Sequence, residues 1–257
     1  MCRFIAYRGK PILMEDVIAC PDRSLIRQSL HAYESRSETN GDGFGVGWYG
    51  ERDTPGMYRE LRPAWSDENL RSLCANVRSP LFFAHVRAAT DTSISRANCH
   101  PFASGNMMFM HNGQIGGYQT IRRRLDTMIA DEYYPARLGT TDSEAMFLIA
   151  LSLGLAEDPV GAVQKMLSLV IAEMKAADID APLRFTASLT DGETLWAFRW
   201  ASDSEPASLY FEHAYDGLVV ASEPFNEKRD EWHRIPPGHA LIARPGESVD
   251  MPALNVV

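Results

Sequence analysis

The sequence predicts an α+β fold in which antiparallel sheets are covered by helices. Short β-branched or aromatic runs bounded by Gly, Pro, Asp or Asn outnumber the helical patterns, two pairs of these runs carry hairpin signals, and the longest helical patterns lie between groups of strands. No Gly/Ser-rich linker, repeat or low-complexity tract divides the 257 residues, so residues 1–257 are expected to form a single domain.

The strand candidates are Cys2–Tyr7, Phe44–Tyr49, Leu81–Val86, Met107–Met110, Phe185–Leu189, Leu195–Trp200, Leu209–Phe211, Leu218–Ala221 and His239–Ala243. Thr190-Asp191-Gly192-Glu193 before the sixth run, and Tyr215-Asp216-Gly217 before the eighth, read as hairpin turns. Among helices, Asp22–Tyr33 places Leu25, Ile26, Leu30 and Tyr33 on one face behind a Pro21-Asp22 start. Asp67–Val77 offers Leu70, Leu73, Cys74 and Val77. Thr141-Asp142-Ser143-Glu144 reads as a capping start for the apolar Ala145–Leu155 helix. Pro159 opens another, with Val163, Met166, Leu167 and Val170 at helical spacing. The order of the strands is not legible.

Hydrophobic content of 45% and charged content of 23% are ordinary for a globular protein. A net charge of −9 argues against a nucleic-acid partner, which calls for a basic face. Arg8 and Lys10 interrupt the N-terminal apolar run, and the most apolar stretch, Ala145–Leu155, is too short to span a bilayer; a cytoplasmic protein with no membrane contact is expected. Four cysteines (Cys2, Cys20, Cys74, Cys99) with no C-x-x-C spacing suggest reduced thiols, no structural zinc and no cofactor.

Cys2 is the first chemical signal. Its small side chain lets Met1 be trimmed, leaving an α-amine of pKa about 7.7–8.0 that can serve as base for its own thiol. Without such activation, Cys2 is simply a small residue opening a buried strand. His111-Asn112-Gly113 follows Met107–Met110, so that strand is expected to end in Asn-Gly. An oxyanion needs two donors, and Asn112 offers a side-chain amide where Gly113 offers an accessible backbone N–H. The same dipeptide is also an ordinary turn. Arg87, in Ala84-His85-Val86-Arg87-Ala88-Ala89-Thr90, suits a bidentate grip on a carboxylate, or a plain ion pair. Asp142 suits a substrate ammonium, or a helix N-cap.

In this order the segments resemble the class II glutamine amidotransferases. Asn98-Cys99-His100-Pro101-Phe102, Gly41-Asp42-Gly43-Phe44-Gly45-Val46-Gly47-Trp48-Tyr49 and Ala221-Ser222-Glu223-Pro224-Phe225 add to the likeness, which reaches Ile235-Pro236-Pro237-Gly238-His239 and is similar to the stand-alone subgroup. The resemblance implies the four-layer αββα fold of N-terminal-nucleophile hydrolases. It implies Cys2 as nucleophile, Asn112 and Gly113 as oxyanion hole, Arg87 holding an α-carboxylate and Asp142 an α-ammonium. Thr90 and His111 are further pocket candidates, whereas His85 and His100 read as structural histidines. The substrate implied is a small γ-glutamyl amide, cleaved through a thioester to glutamate plus ammonia or an amine. No synthase domain follows Ile242-Ala243-Arg244-Pro245-Gly246, so either a separate subunit accepts ammonia or water does. Another N-terminal-Cys acylase and a non-catalytic γ-glutamyl-binding regulator are the competing readings. Trp48, Trp232 and Tyr118, with the loops Asp91–Ala97 and Ser222–Trp232, are candidates for the leaving-group pocket.

Overall fold

Strand alternation organises the molecule. The computed structural model describes residues 2–34, 39–89 and 93–257. The elements run β1 (Arg3–Leu13), α1 (Glu15–Ile18), α2 (Leu25–Leu30), β2 (Phe44–Trp48), β3 (Gly56–Glu60), α3 (Glu68–Asn76), β4 (Arg78–Val86), β5 (Phe102–Ser104) and β6 (Met107–Ile115). Then follow α4 (Tyr118–Asp126), α5 (Asp142–Ser152), α6 (Pro159–Ala176), β7 (Leu183–Thr190), β8 (Leu195–Ala201), β9 (Tyr210–Ala214), β10 (Gly217–Ala221), β11 (His233–Arg234) and β12 (His239–Ala243). One sheet has the order β11-β9-β10-β1-β4-β2-β3 and the other β12-β8-β7-β6-β5, with every pairing antiparallel.

Successive residues of a strand face opposite sides, so each sheet presents two apolar faces. Phe4, Ala6 and Phe83 of the first sheet meet Met108, Met110, Ala197 and Leu241 of the second. Ile5, Tyr7, Phe44 and Phe82 turn the other way, onto Val17, Ile18, Ile26 and Leu70 of α1–α3. Phe109, Phe185 and Phe198 pack under Ile121, Phe147, Leu148 and Met166 of α4–α6. Three apolar interfaces define four layers, αββα, as the family resemblance implies. Each large side chain buried in them contributes about 1.5–3 kcal/mol, so the apolar middle rather than the polar rim holds the layers together.

Helix α5 is buried on all sides, from Ser143 to Leu151, because it lies between the β6 sheet and its helical neighbours α4 and α6. Capping sets the starts of several helices. Ser24, Asp67, Thr141 and Asp158 each accept an N–H from the first turn, before α2, α3, α5 and α6. Thr141, one residue before Asp142, is thus the cap of α5. The β9–β10 hairpin turns on Tyr215 and Asp216, both at positive φ, as a two-residue turn requires.

Two elements end elsewhere than their sequence patterns imply. The α2 pattern was expected to run to Tyr33, but the helix closes at Leu30 and both Leu30 and Tyr33 are exposed. His31 has already turned to an extended conformation there. The strand β6 does not end at Asn112-Gly113; it continues to Ile115, because β7 pairs with it as far as Ile115↔Leu183. Among the described residues, no helix is long and apolar enough to cross a membrane.

Candidate active site

The site forms where β6 outruns its neighbour. β5 pairs with β6 only from Phe102↔Phe109 to Ser104↔Met107, whereas β7 pairs with β6 from Met108 to Ile115. Beyond Phe109, β6 therefore has a strand on one edge and an open edge on the other. Backbone groups on an antiparallel strand alternate between its two edges. Gly116 N–H donates to Pro182 O, on the β7 side. The odd-numbered residues point the opposite way: His111 O takes a bond from His85 Nε2 at 3.2 Å, and Ile115 N–H donates to Asp142 Oδ2 at 2.8 Å. Gly113, between them, carries its N–H on the same open edge.

Gly113 cannot be replaced there. A Cβ would stand 2.0 Å from Arg184 O and 2.6 Å from His111 Nε2. Asn112 has the opposite parity and continues the Met108–Met110 series toward the other sheet. It is 1% exposed, and among the described residues neither Oδ1 nor Nδ2 has a hydrogen-bond partner. A buried amide with both polar atoms unsatisfied is costly, so such a group calls for an explanation.

Cys2 approaches from the facing sheet. It precedes Phe4 and Ala6, the β1 residues that face β6, and its Sγ lies 3.6 Å from Ala88 O. Burial pushes its thiol pKa up, against the pull of nearby Arg87 and Arg3. Arg87 follows β4 and is held against the end of β2: its N–H donates to Gly43 O at 2.9 Å, and its Nη1 and Nη2 reach Asp42 O and Ser93 O. Asp42 also accepts Ala89 N–H at 2.8 Å, so it shapes the Arg87 loop. Gly43, at φ +107°, passes so close to Cys99 Sγ and Glu60 O that a side chain is excluded.

Asp142 opens α5 and accepts two backbone N–H groups, from Ile115 and Ser143. His111 is clamped: Nε2 donates to Arg184 O at 3.2 Å, and Nδ1 then accepts from Ser143 Oγ at 2.8 Å. Its burial lowers the imidazole pKa, with the Asp142 carboxylate acting the other way. Asn98, fully buried, ties Ser93 O to Thr140 through its amide.

These groups surround a cavity of about 210 Å³, lined among others by Cys2, Arg87, His100, Gly113, Tyr118 and Asp142. That is below the usual range of pockets for drug-sized ligands, about 300–1,000 Å³. Of the residues singled out in the sequence, Cys2, Arg87, His111, Gly113 and Asp142 line it together, and Asn112 adjoins it in the strand. Thr90 lies outside the described residues. Tyr118 joins the lining, but Trp48 and Trp232 pack on the helix-facing side of the larger sheet. No described residue from Asp91–Ala97 or Ser222–Trp232 takes part in the lining. Sequence reasoning missed Asp42 and Asn98, although both stand in segments that carried the resemblance.

A family model for glutamine amidotransferases class-II matches residues 19–210. The chain is 32% identical over 292 residues to the probable glutamine amidotransferase DUG3 of Saccharomyces cerevisiae, covering 95% of this chain and 82% of that one. It is 30% identical over 257 residues to the gamma-glutamyl-hercynylcysteine sulfoxide hydrolase of Mycolicibacterium smegmatis, covering 98% and 100%. The solved structure of a glutamine aminotransferase class-II domain protein from Silicibacter pomeroyi superposes with a TM-score of 0.80 at 38% identity, over 99% of this chain and all of that one. This chain belongs to the class-II glutamine amidotransferases and is an enzyme of that family.

Proposed function

We propose that the chain hydrolyses a γ-glutamyl amide by way of a γ-glutamyl thioester on Cys2. The observation that carries this reading is the unsatisfied Asn112 amide, buried on the inter-sheet face that Cys2 also faces. The names of the yeast and mycobacterial relatives support the glutamyl head group. The small cavity favours it over the bulky apolar acyl groups of other N-terminal-Cys acylases.

Since burial holds the Cys2 thiol neutral, the thiol needs a base. Once Met1 is removed, the Cys2 α-amine takes the Sγ proton, and sulfur attacks the γ-carbonyl. The oxyanion is met by Asn112 Nδ2–H and Gly113 N–H. The ammonium formed on Cys2 protonates the leaving nitrogen, ammonia or an amine departs, and the thioester remains. Water, deprotonated by the same amine, then releases glutamate and regenerates the thiol. Arg87 pairs with the substrate α-carboxylate and Asp142 with its α-ammonium.

The test is mass spectrometry after incubation with a glutamine-mimicking electrophile, alongside turnover of glutamine, γ-glutamyl peptides and an N-acylated amino acid. The expected outcome is loss of Met1, labelling of Cys2 alone among the four cysteines, and release of glutamate. Cys2→Ala should abolish turnover while retaining substrate binding. Turnover of only the acylated amino acid, or full activity in Cys2→Ala, overturns the reading.

A further inference from the structure

His85 takes no part in the chemistry above, yet it joins the two halves of the site. It stands in β4, opposite Phe4 of β1 and Gly45 of β2, within the sheet that carries Cys2. Its side chain crosses to the other sheet and meets the carbonyl of His111, the residue before Asn112. A carbonyl only accepts, so this contact fixes Nε2 as the protonated nitrogen. The ring is 1% exposed and packs on His100 with centroids 4.2 Å apart; His100 in turn packs on Phe102 at 4.5 Å.

The bond falls on the open edge of β6, where no strand fixes the backbone. Among the described residues, two contacts pin that edge: His85 at His111 O, and Asp142 at Ile115 N–H. Gly113 N–H sits midway. Losing either peg frees the edge to shift by a few tenths of an ångström, a scale on which an oxyanion donor loses its aim. We propose that His85 is a positioning residue: its Nε2–H holds the His111 carbonyl and so aims Gly113 N–H, and the amide of Asn112 between them, at the carbonyl that Cys2 attacks. This rests on the γ-glutamyl reading, but any amide attacked by Cys2 would form the same oxyanion. Burial, which pushes His85 down to a pKa of about 3, keeps the ring in its single-donor form throughout the neutral range.

Two substitutions separate donor from packing. His85→Phe keeps a ring against His100 and removes the donor; His85→Gln loses the ring and returns an N–H at about the reach of Nε2. In His85→Phe, kcat should fall about tenfold or more with KM within about twofold, and His85→Gln should recover most of the loss. The γ-aldehyde analogue of glutamate provides a second readout. The Cys2 thiol adds to its carbonyl, giving a hemithioacetal whose oxygen sits where the oxyanion forms. His85→Phe should weaken this analogue by the same factor as kcat and leave glutamate binding unchanged. Should His85→Phe not fold, His85→Asn, whose amide stops short of the carbonyl, replaces it in the comparison.

Wild-type kcat in His85→Phe overturns the inference, as do equal losses in the Phe and Gln variants or a loss confined to KM. A wild-type enzyme that turns over only an N-acylated amino acid overturns the γ-glutamyl reading alone, and the same series is then run on that substrate. A wild type that turns over neither overturns both.

Discussion

Two buried polar clusters flank the start of α5, and they are built to opposite rules. On one side, Glu144 accepts from Arg137 Nη1 at 2.7 Å and from the N–H groups of Leu138 and Gly139, while Arg137 also reaches Thr141 O and Asp126. Both charged side chains are nearly inaccessible, at 4% and 5%, and each has several partners. On the other side lie Asn112, His100 and His85, with unpaired amide and ring atoms. A closed network can only stabilise and specify the fold, whereas an open one stores unmet hydrogen-bonding capacity that a substrate can satisfy.

The largest expected effect breaks the closed network. Arg137→Met should lower stability by about 3–5 kcal/mol, since Glu144 is left buried without its counter-charge. Chemical denaturation at pH 7 measures it, and a loss under 1 kcal/mol would show that this cluster is not the scaffold described. Asn112→Ala tests the open side: kcat should fall about 10²–10³-fold, with stability unchanged or improved because an unsatisfied amide is removed. A destabilised but fully active variant would reverse the assignment of the two clusters.

The smallest effect per residue comes from pH. The His85 pKa is pushed from 6.5 to about 3 by burial, and burial lowers His100 and His111 as well. Below about pH 6.5 the unfolded chain takes up protons that the folded one refuses, so their stabilising contribution is complete above that pH and is lost as pH falls toward 3. Each histidine adds at most about 1.4 kcal/mol per pH unit to this slope. Unfolding midpoints measured between pH 7 and pH 5 should fall, and less steeply in His85→Phe. An identical slope in that variant would mean that His85 is protonated inside the fold.

Legibility in the sequence followed the length and pattern of each element. The nine strand runs read from alternation and turn residues all correspond to strands, because long segments with one or two buried faces leave a periodic signature. β5 and β11, at three and two residues, are too short to leave one. β3 is half-buried along its whole length, so its pattern is flat. Helix α4 was legible and overlooked: Tyr118, Ile121 and Leu125 lie at helical spacing, but Arg122-Arg123-Arg124 hides the stripe. Cys2, Arg87, Gly113 and Asp142, which line one cavity, and Asn112 beside it in β6 were proposed from residue type and spacing. Their surroundings were not, since Asp42, Asn98 and His85 act through contacts that span 42 to 47 residues for the first two and 26 for the third.

By itself, the sequence determined the α+β class, the capping start at Thr141 and the set of candidate residues that carry the family resemblance. Those depend on local propensity and side-chain identity, which a linear chain carries in full. The tertiary structure alone decided that Asn112-Gly113 is a strand interior rather than a turn. It also decided that β6 outruns β5, that the open edge faces Cys2, and that His111 is clamped while Asn112 is not. Each of these depends on which distant backbone satisfies a given hydrogen bond, and that is fixed only when the two sheets pack.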